Sequence, residues 1–212
     1  ELFRVILSDK DILALCTQPE HSLISPFNET CLQGASYDVS MSDVIHVFKD
    51  DVRTISLTDQ NAIDSLYKEV IITDSTPFIL KPMEYILVTL KEAICIPSNM
   101  IAHIRPRTKF TRLGIIVSDQ HCNPGYQGTL QIGLQNVSPN SIALTADMRI
   151  AQIVFEELKS EPSPQKVYSA KADASYHNEK SFLGAKFIES DFSPKARELY
   201  EKIMSGAYLN EN

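Results

Sequence analysis

Between Arg105 and Gly114 the sequence Arg-Pro-Arg-Thr-Lys-Phe-Thr-Arg-Leu-Gly places four cations and no carboxylate in ten residues. The whole chain, by contrast, carries a formal net charge of −7. A guanidinium presents a rigid fork that matches phosphate oxygens, and the interleaved Thr108 and Thr111 add hydroxyl donors. These are the parts of a polyphosphate cradle; the bland alternative is a solvated charged face. The surroundings are poor in groups that move protons. From Ala93 to Ala146 the single carboxylate is Asp119. His121 follows two positions later, so Asp119 and His121 are the candidates for a loop general base. The turn Asn123-Pro-Gly-Tyr-Gln-Gly128 aims Tyr126 at a definite place, or else buries it as the core tyrosine of a hairpin.

Other chemistries are poorly represented. Of His21, His46, His103, His121 and His177, none lies in His-x₃-His spacing, and the His-x-Glu of His177 and Glu179 has no Cys-x-x-Cys to complete a site, so each reads as structural. Cys16, Cys31, Cys95 and Cys122 are far apart with no Cys-x-x-Cys, which argues against zinc and for buried thiols in a reducing, cytoplasmic setting. The zinc deaminase signature, a Walker glycine loop and a Gly-x-Ser-x-Gly elbow are all absent. The acidic balance disfavours a nucleic acid polymer as partner. Apolar runs such as Gly114-Ile-Ile-Val117 are too short to span a membrane. Glu1 to Leu7 show no secretory signal pattern, and without an initiator Met the numbered chain reads as a fragment or processed form.

The elements that must position these residues are mostly strands. Leu7 to Cys16 predicts a helix, with Ser8 accepting from the first-turn N–H groups and Asp9 and Asp11 at its positive end. Ala35 to Met41 alternates, placing Tyr37, Val39 and Met41 on one face. Thr58 to Val70 predicts a second helix. Short β-rich runs then follow at Phe78–Leu80, Tyr85–Leu90, Ala93–Ile96, Ile101–Pro106, Gly114–Ser118, Gly128–Asn136, Ile142–Thr145 and Arg149–Phe155, each bounded by turn residues. Such spacing predicts a mainly β barrel or jelly-roll-like sandwich. Ser160 to Pro164 reads as a hinge and Ser169 to Lys180 as a mobile arm. Ser193 caps a final helix to Met204 whose stripe of Ala196, Leu199, Tyr200 and Ile203 predicts core packing. The expected division is a β core over 1–160, an arm over 161–187 and a helical extension over 188–212.

In order, these pieces resemble the dCTP deaminase branch of the trimeric dUTPase superfamily. Leu7-Ser-Asp-Lys-Asp-Ile12 is similar to that branch's first helix motif, and Gln33-Gly-Ala-Ser-Tyr-Asp-Val39 to its Gln-Pro-Ala-Ser-Tyr-Asp-Leu segment. Arg107-Thr-Lys-Phe-Thr-Arg-Leu-Gly114 resembles its phosphate segment Arg-Ser-Ser-Leu-Gly-Arg-Leu-Gly, and Asn123-Pro-Gly-Tyr-Gln-Gly128 its Asp-Pro-Gly-Phe-x-Gly turn. Met148-Arg-Ile-Ala-Gln-Ile-Val-Phe155 is close to a strand shared by both branches, with a dUTPase flavour in Arg-Ile-Ala-Gln. Tyr168 and Tyr176-His-Asn-Glu179 resemble the deaminases' C-terminal arm. The likeness runs from about Leu7 to Gly184.

The resemblance implies a distorted β-barrel of the dUTPase-like type, with short N-terminal, inserted and C-terminal helices. It also implies a homotrimer, a deoxypyrimidine triphosphate ligand (dCTP, dUTP or dTTP) and Mg²⁺ on that ligand's phosphates. By position, Arg107, Thr108, Lys109, Arg112, Gln152 and Tyr168 would bind phosphate. Asn123, Tyr126, Gly133, Tyr176 and Glu179 would border the nucleoside, with Tyr126 against the deoxyribose. The family reaction is hydrolytic deamination of dCTP to dUTP and ammonia. The departures from the pattern matter as much. Gly133 stands where the deaminases place a strand glutamate, and Asn123 where dUTPases place their water-activating aspartate. Neither can act as a base. Lys109 replaces a serine, Glu179 replaces a glutamine, and the loop Ser118-Asp-Gln-His-Cys122 is about two residues short. Three readings follow: an active deaminase, a dUTPase-like pyrophosphohydrolase, and a nucleotide-binding sensor or regulatory trimer without turnover. A glutamate restored at position 133 would regain deamination if only the base has been lost.

Overall fold

The computed structural model describes residues 6–18, 22–51, 53–73 and 75–206. His21 lies outside the described residues. The helices are α1 (Asp9–Cys16), α2 (Gln60–Asp64), α3 (Thr108–Leu113) and α4 (Pro194–Met204). The strands are β1 (Ile24–Ser25), β2 (Leu32–Gln33), β3 (Ser36–Phe48), β4 (Tyr67–Ile71), β5 (Phe78–Leu80) and β6 (Tyr85–Cys95). They continue as β7 (Met100–Pro106), β8 (Ile115–Val117), β9 (Gln120–Cys122), β10 (Gln127–Asn136), β11 (Ile142–Leu144) and β12 (Arg149–Glu157). The chain divides into two compact units, Glu1–Val47 with Glu69–Phe182, and Phe48–Lys68 with Leu183–Asn212.

The first unit is mainly β, its large sheet curled into a half-barrel. Strand order runs β8-β10-β6-β3-β12-β7-β9, with β1 on β6, β2 and β4 on β3, and a separate β11-β5 pair. The curl follows from alternation. On β6, Ile86, Val88, Leu90 and Ile94 point inward and are essentially inaccessible, as are Tyr37, Val39 and Met41 on β3. Each such apolar side chain contributes roughly 1.5–3 kcal/mol by leaving water.

One inward position of β6 is a carboxylate. Glu92 Oε2 accepts from the Ser40 N–H at 3.0 Å, just before β3 shifts register against β6 between Met41 and Ile45. An irregular strand leaves an N–H without a ladder partner, and a buried orphan donor is costly. Glu92 satisfies it, and burial raises its own pKa above the ordinary 4.5.

Several elements differ from the sequence expectations. The start of α1 is not among them: Ser8 is its N-cap and forms a capping box with Asp11, to whose Oδ2 the Ser8 N–H and hydroxyl donate at 3.1 and 2.7 Å. The helix expected over Thr58 to Val70 stops at Asp64, and Tyr67–Ile71 is strand β4 paired with β3. Tyr67, Val70 and Ile71 prefer extended backbone when a strand edge is available to pair with. The two runs Tyr85–Leu90 and Ala93–Ile96 are a single strand, β6. Cys16, Cys31 and Cys122 are buried, whereas Cys95 is only half-buried.

In the second unit, Ser193 Oγ caps α4 by accepting from the Ala196 N–H at 3.2 Å. The apolar stripe of α4 does not form core: no residue of the helix is buried, and Leu199 is 44% exposed. Tyr200 instead packs edge-on against Phe192. Lys186 pairs with Asp64 at 3.0 Å, and Arg197 with Glu189 at 2.6 Å.

Candidate functional site

The cationic segment is built where β7 ends and the chain turns into α3. Its members have different fates. Arg107 is directed inward. It forms an ion pair with Asp38 Oδ2 at 3.0 Å and donates to the Arg149 carbonyl at 2.7 Å. Arg149 in turn donates to the carbonyl and hydroxyl of Thr30, at 3.0 and 2.9 Å, and approaches Asp38 at 4.0 Å. Asp38 is 3% exposed, so a buried carboxylate is the hub of this knot. Thr108, Lys109, Thr111 and Arg112 lie on α3 and are exposed, while Phe110 anchors the turn in the core. No ion pair joins Lys109 or Arg112 to another described residue. The knot thus fixes the backbone from which two free cations project.

Register brings further candidates to the same sheet. Gln152 on β12 is opposite Asp38 on one side and Arg105 on the other. Opposed residues of an antiparallel pair share a face, so the three form one row. Arg105 also binds Asp119, at 3.2 Å. His121 is opposite His103 across β9 and β7, with ring centroids 4.9 Å apart. Burial chiefly, and then the charge of His103, lower the pKa of His121, while a hydrogen bond with Asn123 acts in the opposite sense. Asp119 and His121 are therefore both engaged with neighbours, and both are exposed.

Of the nucleoside candidates, Tyr126, Tyr176 and Glu179 gather around the start of β10, whereas Gly133 lies further along that strand. Tyr126 is 5% exposed, and its ring lies 5.7 Å from that of Tyr168. The Tyr126 hydroxyl is buried without a hydrogen-bond partner among the described residues, and burial raises its pKa. The segment after the hinge runs along this place through backbone bonds: Tyr168 N–H to Pro124 O at 2.7 Å, Asn178 N–H to Gln127 O at 2.7 Å, and Thr129 N–H to Glu179 O at 3.0 Å. The Tyr168 hydroxyl accepts from the Tyr176 N–H at 3.1 Å. Gly128 permits the close approach. Its φ is +152°, and a β-carbon there would lie 3.0 Å from both Glu179 N and the Tyr126 hydroxyl. Glu179 is itself buried, at 7% exposure. Tyr168, expected beside phosphates, thus sits with Tyr126, Tyr176 and Glu179 within a single chain.

Gly133 lies on β10 opposite Leu87 of β6. Its N–H donates to Ser118 Oγ at 2.8 Å, and its carbonyl accepts from the Ser118 N–H at 2.9 Å. Gln120 donates to the Gln131 carbonyl, so the short loop after β8 is stitched to β10 beside the glycine. The same-face neighbours are neutral: Gln131 opposite Thr89, bonded at 2.9 Å, and Gln135 opposite Tyr85. The Tyr85 ring covers the glycine. A β-carbon at position 133 would lie 2.9 Å from Cε2 and Cζ of Tyr85 and closer still to its hydroxyl. Sequence reasoning missed Asp38, Arg149, Ser118 and Tyr85. Asp38 stood in view as the lone acid of an alternating strand. Tyr85 carried no signal, because its place over Gly133 depends on the β6–β10 register.

An apolar groove adjoins α3. Pro106, Ile115, Val117 and Gly114 line it together with Ile116 and Val137, which are 53% and 46% exposed. Leu113, at 55%, is exposed beside it at the end of α3.

Comparison with known proteins gives this arrangement a family context. A family profile described as dCTP deaminase-like matches residues 6–158. The chain is 31% identical over 180 residues to a dCTP deaminase of Natronomonas pharaonis, a match covering 82% of this chain and 91% of that protein. It is 30% identical over 196 residues to a dUMP-forming dCTP deaminase of Dictyoglomus thermophilum, covering 90% and 98%. Among solved structures, the 2′-deoxycytidine 5′-triphosphate deaminase of Agrobacterium tumefaciens matches with a TM-score of 0.59 at 20% identity. That match covers 73% of this chain and 48% of the solved one, about half its length, and the likeness is one of fold.

Proposed function

The chain belongs to the dCTP deaminase-like family, and from that premise we propose that it binds a deoxypyrimidine triphosphate (dCTP, dUTP or dTTP) without deaminating it. One observation carries this reading. At the strand position where the family reaction needs a proton-shuttling carboxylate there is Gly133, and its neighbours Ser118, Thr89, Gln131 and Gln135 are neutral hydroxyls and amides. Such groups hold a ligand by hydrogen bonds but do not accept a proton usefully at neutral pH.

The phosphates would be met by Thr108, Lys109 and Arg112 on the exposed side of α3. Arg107 would hold that segment in place through Asp38, and Gln152 would contribute from the adjacent row. Tyr126 would pack against the deoxyribose beneath the 161–187 arm, with Tyr168, Tyr176 and Glu179. The donors at α3 are guanidinium, ammonium and hydroxyl, which suit anionic oxygen rather than a cation. Mg²⁺ would therefore arrive on the phosphates, neutralising part of their charge, with no carboxylate cage of the protein's own.

A homotrimer suits the exposed apolar surface of Leu113, Ile116 and Val137 beside α3, since a second copy of the chain would cover it. Binding without turnover suits a cytoplasmic sensor or a regulatory trimer. Pyrophosphohydrolysis of dUTP is disfavoured, because Asn123 offers an amide hydrogen-bonded with His121 where a base is required.

The test is incubation of the full chain with Mg²⁺ and each of dCTP, dUTP and dTTP. The expected result is no ammonia, no pyrophosphate and a raised melting temperature with at least one nucleotide, because a ligand bound only to the native state stabilises it. Ammonia release from dCTP would overturn the reading.

A further inference from the structure

Tyr85 governs what position 133 can hold. It opens β6 and is opposite Gln135, so its side chain rises from the same face as Gly133, two pairs along the ladder. A side chain at 133 would begin 2.9 Å from two carbons of the Tyr85 ring. β-carbons in folded proteins do not approach heavy atoms so closely. The obstructing atoms belong to a rigid ring rather than to the loose end of a flexible chain. Ring and side chain are therefore alternatives. The ring also brings a hydroxyl to the place where a side chain at 133 would reach. Burial raises the phenol's pKa, so it stays protonated at neutral pH, able both to donate and to accept a hydrogen bond.

Resting on the nucleotide-binding reading above, we propose that Tyr85 is the specificity-determining floor of the base pocket: its ring takes the volume of a side chain at 133, and its hydroxyl meets the 4-position of the bound pyrimidine. A neutral phenol accepts from the 4-amino group of cytosine and donates to the 4-oxo group of uracil or thymine. The floor thus holds both base types with similar strength. That differs from a carboxylate, which would accept from the amine and repel the carbonyl oxygen. It also leaves the family reaction without its group, and a glutamate at 133 alone has no room to restore it.

Calorimetric binding of dCTP and of dUTP, with Mg²⁺, to the full chain and its variants tests this, with melting temperature as a second readout. The unsubstituted protein is expected to bind the two nucleotides within about threefold of each other. Tyr85→Phe keeps the ring and is expected to weaken both about tenfold, the loss of one ligand hydrogen bond. Gly133→Glu is expected to melt well below the parent, and adding Tyr85→Ala is expected to recover much of the difference. Parental affinity for both nucleotides in Tyr85→Phe overturns the base contact. A parental melting temperature in Gly133→Glu overturns the steric exclusion. If the unsubstituted protein binds neither nucleotide, the nucleotide reading and the base contact fall together, and the melting series still decides the exclusion on its own.

Discussion

The knot around Asp38 and the floor around Gly133 handle charge in opposite ways. In the first, a carboxylate on β3 is buried against Arg107 and Arg149, and the guanidiniums spend their remaining donors on the Arg149 and Thr30 carbonyls. In the second, β10 and β6 present a glycine, two glutamines, a threonine, a leucine and a tyrosine around the Ser118 hydroxyl. Charge is kept where a backbone segment must be held rigid beneath projecting cations, and is absent from the row around Gly133. The difference teaches that one sheet can bury an ion-pair network in one place and a neutral row in another.

Asp38→Ala breaks the comparison most severely. It leaves the Arg107 guanidinium, 22% exposed, with its charge uncompensated. Losing one partner of a buried pair costs on the order of 3–5 kcal/mol. Denaturant unfolding should show a loss of that size; a loss below about 1 kcal/mol would mean the knot is not structural. The double variant Lys109→Ala/Arg112→Ala should behave in the opposite manner. Both side chains are exposed, so stability should move by less than about 0.5 kcal/mol, while triphosphate affinity should fall about a hundredfold for two lost charge-assisted contacts. An unchanged affinity would remove α3 from the site.

Smaller effects sharpen the neutral side. Ser118→Ala removes the acceptor of the Gly133 N–H and should cost about 1 kcal/mol; a neutral result on chemical denaturation would show that the loop is not held through this bond. The smallest expected effect is a pH slope set by Glu92. Its folded pKa is raised by burial, so the native state keeps a proton over a window where the unfolded chain has lost it. This group's contribution to stability is therefore fully present below about 4.5 and is lost as pH climbs through the raised value. Glu92→Gln, which cannot ionise, should flatten that part of the profile; an unaltered slope would assign it to another group.

Much of the architecture was legible beforehand because it depends on short-range rules. Alternation marked Tyr37, Val39 and Met41 as one buried face, turn residues bounded most of the strands, and Ser193 with Pro194 marked the start of α4. The errors lay where a partner overruled local preference. Tyr67–Ile71 left a helical pattern to pair with β3, β6 ran through the apparent break at Lys91 and Glu92, and the stripe on α4 found no core.

For the site, residue types alone established where positive charge is concentrated, that Gly133 and Asn123 offer no base, and that Tyr126 sits on a tight turn. Those properties belong to single residues and travel with the sequence. Which cations are free was decided only by tertiary structure, since Asp38, about seventy positions upstream, reaches Arg107 and leaves Lys109 and Arg112 exposed. Structure alone also decided what stands over the glycine. Antiparallel pairing fixes neighbours by register, and one register brings Tyr85 across to Gly133. The glycine is therefore a covered place rather than an open one.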